Sequence, residues 1–369
     1  MKRQEDIDVK VLRVRRLLQE QGWFGAFFMT RASFAWITGG GDNHIPSNSE
    51  MGEAGVLVTL TDYIIVTNNI EAPRLRAEEC AGIEATWLEY SWHEPLTDVL
   101  ARVGTLETIA ADAPVVGCRY LPDELNPLRF PLTKLEVERI KELGQAAASI
   151  TEDICFGLKP GVTEWEVAGR LHSALLKRGI EPTVTLVAHD ERIARYRHPI
   201  PTEKPLQRHG MIVCCSRKYG LTVALTRVVH VGPIPDSLLA LHQQVAHIES
   251  VMIDASKAGT PYQDVLQKAM EAYRQAGYPD EWQLHHQGGP VGYANREFLV
   301  TASTAGTIQD SQALAWNPSI TGSKSEDTIL VQGATATLLT QGAGWPTIAC
   351  EVNDRIYKRP AILQLSYTI

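Results

Sequence analysis

His198, His285, His286 and Glu326 have the side chains for proton transfer and for holding a small charged molecule, and basic residues stand near them in sequence. His198 lies in the run Arg195-Tyr-Arg197-His198-Pro199, His285 and His286 are adjacent, Arg296 precedes Glu297, and Lys324 stands two residues before Glu326. An unperturbed imidazole titrates near ~6.5, so His198 can exchange a proton at neutral pH if it reaches a reacting atom. Glu326 suits a bound cation or guanidinium. Arg197, Arg296 or Lys324 suits a carboxylate, arginine best through its bidentate fork. Together they would bind a zwitterion. Plainer roles stay open: a loop position for His198 before its proline, and a structural pair between Glu326 and Lys324 or Arg227. His286 and Gln287 could support their loop by hydrogen bonds. Tyr293 and Glu297 would line a cleft or serve structure alone, and Gly288, Gly289 and Gly292 permit turns and close approach.

The elements that must position these residues follow from periodicity. Residues 5–22 predict an amphipathic helix ended by Gly22, and Phe24–Met29 a strand. Ala54–Leu60, Thr61-Asp62 and Tyr63–Thr67 predict a hairpin, and a charged helical stretch follows around Glu71–Glu79. Pro122, Pro127 and Pro131 mark a boundary, after which Thr133-Lys-Leu-Glu136 has the form of a capping box. Two domains are expected, residues 1–130 and 131–369. In the second, Thr163-Glu-Trp-Glu166 opens another helix, and two more are expected at Leu238–Ala258 and from Thr260-Pro261 to Gly277. Strands are expected at Val229–Val231, Phe298–Ala302, Gln312–Trp316, Asp327–Val331 and Ala334–Thr340, and the apolar run Met211–Cys215 is compatible with one.

Composition narrows the partners. The chain has 369 residues, 44% apolar, and a net charge of −8, enough for two domains and a large core. There is no basic stripe for a phosphate backbone, so nucleic acid is not an expected partner. The N-terminus opens on Lys2, Arg3, Gln4, Glu5, Asp6 and Asp8 rather than an apolar core, and no apolar run is long enough for a membrane span, so a cytoplasmic protein without a membrane partner is expected. Six scattered cysteines without a CxxC pair predict reduced thiols. Cys214 and Cys215 would face opposite sides of a strand.

From about residue 130 to the end, the order and spacing of motifs resemble the pita-bread superfamily of creatinase, aminopeptidase P, prolidase and methionine aminopeptidase. Residues 1–130 resemble the N-terminal domain of its larger members. The pair Thr226-Arg227 anchors the alignment. It places Ala224 and Val213, or the neighbouring Cys214, where the family has its two aspartate ligands. Gly289 stands at the histidine ligand, Asn317 at the first glutamate, and Glu326 alone keeps its type. One carboxylate and one amide cannot offset two divalent cations. The resemblance therefore implies an α/β N-terminal domain followed by an α+β pita-bread domain, with no metal and no cofactor. A rearranged site on His285, His286 and Glu326 is disfavoured, because adjacent side chains diverge on a strand.

By resemblance, His198 aligns with a histidine that contacts substrate and acts as general acid and base in the metal-free creatinases. His285 aligns with a proton-transfer histidine, Arg296 with a substrate-binding histidine, and Lys324 with an arginine. With Glu326, His198 and His285 form the expected catalytic group. Substrate binding is assigned to Arg197, Arg227, His286, Tyr293, Arg296, Glu297 and Lys324. Larger relatives dimerise so that an N-terminal loop reaches the partner's site, a role open to Asn43 or His44 in Gly39-Gly-Gly-Asp-Asn-His44. A homodimer acting on a small molecule is expected. The favoured chemistry is metal-independent hydrolysis of a C–N bond in a small amidine or amide. The alternatives are an Xaa-Pro peptidase-like enzyme with rearranged metal ligands and a pita-bread binding protein without catalysis.

Overall fold

The computed structural model describes residues 1–366. Two compact units emerge, residues 1–137 with 219–221, and residues 138–218 with 222–369. In the first, the helix Arg3–Gln21 ends at Gly22 in the left-handed region, φ 66°, as its glycine stop requires. Strands run in the order Thr86–Tyr90, Tyr63–Asn68, Met51–Thr59, Gly25–Thr30, Ile109–Ala111 and Arg119–Tyr120, forming one six-stranded sheet. Phe27, Leu57, Val66, Leu100 and Ile109 fill one core against it.

A buried ion cluster explains why the division falls after Val137 rather than after residue 130. Lys10 Nζ lies 2.6 Å from Asp6 and 2.7 Å from Glu136, and donates to Trp36 O at 2.8 Å. Thr133 Oγ1 donates to Asp6, and Thr133 N donates to Glu136 at 2.7 Å. The capping box that opens the helix Lys134–Phe156 is thus bonded to the first helix of the chain.

The Gly39–His44 segment has a structural role. Asn43 is fully buried, and its Nδ2 donates to Met29 O at 3.0 Å and Ala54 O at 2.6 Å. His44 Nδ1 stands 2.7 Å from Asp42. The expectation that Asn43 binds substrate is corrected, because its side chain is consumed in holding the backbone.

In the second unit a four-stranded sheet has the order Leu363–Leu365, Leu221–Val231, His209–Lys218 and Glu181–His189. A second has the order Gly288–Val291, Gln312–Trp316, Asp327–Gln332 and Thr335–Leu338. Helices Asp236–Ala255 and Tyr262–Gln275 pack their apolar faces on the latter through Ile248, Met252, Leu266 and Tyr273, against Leu314, Trp316 and Ile329. Register pairs Gly288 with Trp316 and Trp316 with Asp327, so Gln287, Asn317 and Glu326 stand together at one sheet end. Thr226 N donates to Glu326 O at 3.0 Å, joining a long strand of the first sheet to that end.

Phe298–Ala302, expected as a strand, is irregular: Glu297 N bonds Pro290 O and Val300 N bonds Gly288 O without a continuous ladder. Conversely, Glu181–His189 and the hairpin of Thr347–Val352 with Arg355–Pro360 were not anticipated. The hairpin turns on Asn353 and Asp354, φ 48° and 60°, the left-handed pair of a tight β-turn.

Beneath the second sheet lies a buried ionic network. Arg227 reaches Glu152 at 3.0 Å and Asp327 at 3.1 Å, while Arg359 reaches Glu249 at 2.7 Å and also Asp327. Burial, opposed by Arg359 and reinforced by Asp327, pushes the Glu249 carboxyl up to about 7. The Arg227 side chain has no solvent exposure, so its assignment to substrate binding is corrected to a structural one. Replacing Arg227 by Met leaves Glu152 and Asp327 short of a counter-charge and is expected to cost about 3–5 kcal/mol. Urea denaturation measures this, and a loss below ~1 kcal/mol would show the network to be dispensable.

Candidate active site

Glu326 precedes the strand Asp327–Gln332 and is 1% exposed. Its Oε2 accepts from Thr226 Oγ1 at 2.7 Å and lies 2.8 Å from Lys324 Nζ, while its Oε1 accepts from Arg296 Nη2 at 2.9 Å. Burial alone would raise its pKa; Lys324 and then Arg296 outweigh that and hold it at about 2. The carboxylate expected to receive a substrate cation is already engaged by two cations of the chain itself. That expectation is corrected.

The two adjacent histidines do not diverge. A short 3-10 turn, Glu281–Leu284, delivers His285 in an extended conformation ahead of the strand Gly288–Val291 rather than within it. Gln287 fixes this approach: its Nε2 donates to Trp282 O at 3.0 Å and to His285 O at 2.6 Å, and its Oε1 accepts from Tyr273 OH at 2.9 Å. The rings of His285 and His286 stack at 4.3 Å with an interplanar angle of 27°. His198 joins them, its Nε2 standing 3.1 Å from His285 Nε2.

Arg197 holds the His198 loop in place. Its guanidinium donates to Ser319 Oγ at 3.1 Å and Thr321 Oγ1 at 2.8 Å and pairs with Glu281. It is a positioning residue, and its assignment to substrate binding is corrected. Glu297 Oε1 accepts from Tyr293 N at 2.9 Å and Ala294 N at 3.3 Å, so it shapes the loop that carries Arg296, and Tyr293 is buried. The residues brought together are therefore His198, His285, His286, Arg296, Lys324 and Glu326. Thr226, Tyr273 and Gln287 support them, and the sequence signal for Thr226 is its place in the Thr226-Arg227 pair.

Charge in this group follows from burial. The proton affinity of His198 is lowered by burial and then by Lys324. His285 is lowered to about 2 by burial, Lys324 and its neighbouring imidazoles, and His286 to about 4 by burial, Arg296 and Lys324. Two fixed cations thus stand beside one carboxylate and neutral imidazoles. The balance is positive.

Residues 138–333 match the sequence model described as metallopeptidase family M24. The chain belongs to this family. An uncharacterized peptidase of Staphylococcus haemolyticus is 27% identical over 222 residues, covering 56% of this chain and 61% of that protein. The chain thus spans less than two thirds of that relative's length. Among solved structures, the prolidase of Pyrococcus horikoshii is similar with a TM-score of 0.77 at 16% identity, covering 91% of this chain and 99% of that one. The N-terminal domain of FACT complex subunit SPT16 from chickpea, Cicer arietinum, is similar at a TM-score of 0.67 and 11% identity, covering 91% and 97%. These likenesses establish the pita-bread fold with its N-terminal domain, which this M24 chain shares with a prolidase and with a FACT complex subunit alike.

The residues present do not fit the dinuclear metal centre that the resemblance implies for M24 peptidases. Val213, Cys214 and Ala224 are buried, and the first and last of them offer no ligand atom. At Gly289 a side chain would place its Cβ 2.4 Å from Phe298 O, so no histidine fits there without moving backbone. Lys324 and Arg296 hold the remaining carboxylate. Gly289→His is therefore expected to lose about 1–3 kcal/mol through overpacking and to gain no metal. Thermal unfolding with elemental analysis checks this, and a stable variant holding two metal ions would overturn it.

The depressed Glu326 pKa also fixes a pH window. Its contribution to stability is present above the unfolded value of 4.5 and is lost as pH falls through about 2. Urea midpoints measured from pH 6 down to ~2 should therefore fall more steeply for the native protein than for Glu326→Gln. Equal slopes would mean that the ion cluster contributes nothing.

Proposed function

We propose that this protein hydrolyses a C–N bond in a small amide or amidine that carries a carboxylate, with His198 as general acid and base and without the dinuclear metal centre of its family. The observation that carries this reading is the 3.1 Å contact between His198 Nε2 and His285 Nε2 beside the Lys324–Glu326–Arg296 cluster. Two neutral imidazoles meeting nitrogen to nitrogen share one proton, so a substrate atom entering between them can receive it or return one.

In this scheme water adds to the amide or amidine carbon and passes a proton to His198, which delivers it to the departing nitrogen. His285 holds the His198 ring and sets its tautomer. The positive balance left by Lys324 and Arg296 favours an anion, and Arg296 Nε is a buried donor without an internal partner. With Glu326 saturated by its own cations, the substrate is recognised through its carboxylate. Dipeptides satisfy this description as well as creatinase-type amidines do, which makes both part of one screen.

His198→Ala should retain the fold and lose about 10²–10⁴-fold in kcat. Lys324→Met should raise KM for carboxylate substrates more than for their esters. Steady-state kinetics on carboxylate-bearing amidines, N-acyl amino acids and Xaa-Pro dipeptides checks both. Full activity of the His198 variant sinks the acid–base role, and a silent screen with folded protein favours the binding-protein alternative.

A further inference from the structure

The three histidines are close enough to serve as ligands of a single ion. One ring nitrogen from each of His198, His285 and His286 lies within 4.8 Å of the others. Ligands at ~2.0–2.1 Å in a tetrahedron stand roughly 3.4 Å apart, so the 3.1 Å separation of His198 Nε2 and His285 Nε2 is already near that value. A modest movement of His286 would complete the face. None of the three corresponds to the ligand positions at 213, 224, 289, 317 and 326 considered above.

A second observation points the same way. His285 is 7% exposed, and beside it His286 Nδ1 is buried without a hydrogen-bond partner. An unsatisfied imidazole nitrogen in a buried cluster costs free energy unless something occupies it, and an ion held by His198 and His285 through Nε2 can meet this one. His198 is the exposed member, so an ion can enter from solvent past its ring. Three imidazoles and no carboxylate suit zinc or another late first-row divalent ion rather than magnesium or calcium. Lys324 and Arg296 nearby favour an ion that carries an anion, such as hydroxide or a carboxylate, in its fourth position.

We infer that His198, His285 and His286 form a mononuclear binding site for zinc or a similar late first-row ion, and that occupancy inhibits the enzyme because it captures the His198 nitrogen needed for proton transfer. The second half of this inference rests on the function proposed above. The first half does not. Metal at this site closes the exchange between His198 and His285 by replacing their shared proton, and it places a dication where a substrate atom would enter.

The test is calorimetric titration of the chelator-stripped full chain with zinc alone, with cobalt absorption as a second readout. The expected result is one equivalent bound with a tetrahedral cobalt spectrum. His286→Ala and His285→Ala should each weaken binding by at least ~10–100-fold, the loss typical of even an outer-shell partner. Folding of each variant is verified by circular dichroism, and His286→Gln serves if the alanine variant unfolds. No stoichiometric binding, or binding that both His286 variants leave unchanged, overturns the site. Where a substrate has been found, zinc should inhibit turnover at the concentrations that fill the site. Filling without inhibition overturns the regulatory half and the catalytic role of His198 while leaving the metal site standing. Loss of turnover in His198→Ala without zinc binding overturns the site and leaves the function intact.

Discussion

The ionised Glu326 carboxylate, sealed from water and held by Lys324, Arg296 and Thr226, is the interaction on which the rest of the site depends. Burying a lone carboxylate costs several kcal/mol or more, so the group persists only because two cations and a hydroxyl meet it. Those partners come from three separate segments, the loop after Gly292, the short strand Ser323–Lys324 and the strand Leu221–Val231. Fixing one charge therefore fixes three pieces of chain. It also sets the field in which His285 and His286 sit, which together with their burial keeps both rings neutral.

Asp327, the next residue, faces the other way. Successive side chains at the start of a strand alternate sides, so Glu326 joins the histidine cluster while Asp327 binds Arg227 and Arg359 in the core. One dipeptide thus connects the candidate site to the ionic network beneath the sheet. Arg197 plays the corresponding part on the opposite side of the histidines, since its bonds to Glu281, Ser319 and Thr321 tie the His198 loop to the turn that launches His285.

Sequence pattern made the long helices and apolar strands legible because each carries its period over many residues: Arg3–Gln21, Asp236–Ala255 and Gln312–Trp316 stand close to where periodicity puts them. The hairpin Thr347–Pro360 lacks a clean inside-outside alternation, with Ile356 exposed and Arg359 buried, so only the turn at Asn353-Asp354 signals it in the sequence. For the site, motif spacing brought His198, His285, Arg296, Lys324 and Glu326 to one place. Spacing does not show that the hydrogen-bonded strand begins only at Gly288, and so whether the paired rings stack or diverge. Nor does spacing show which of several arginines is spent internally. Arg227 and Arg197 are set apart from Arg296 by partners far away in sequence, such as Glu152 and Glu281.

The exchange of ligands for cations has a physical logic. A dinuclear centre joins two dications to several carboxylates and an imidazole, and leaves a positive face for substrate. Removing four ligand positions while keeping Glu326 would strand a buried negative charge; placing Lys324 and Arg296 against it restores a positive balance with charges that are covalently part of the chain. Attraction for an anionic group survives that exchange, whereas the acidic water of a two-metal site does not arise beside an ammonium and a guanidinium. Proton transfer then falls to groups that can exchange protons near neutrality. Beside this cluster that group is His198: burial and the nearby cations take His285 and His286 far below neutrality, whereas His198 is the exposed member of the three.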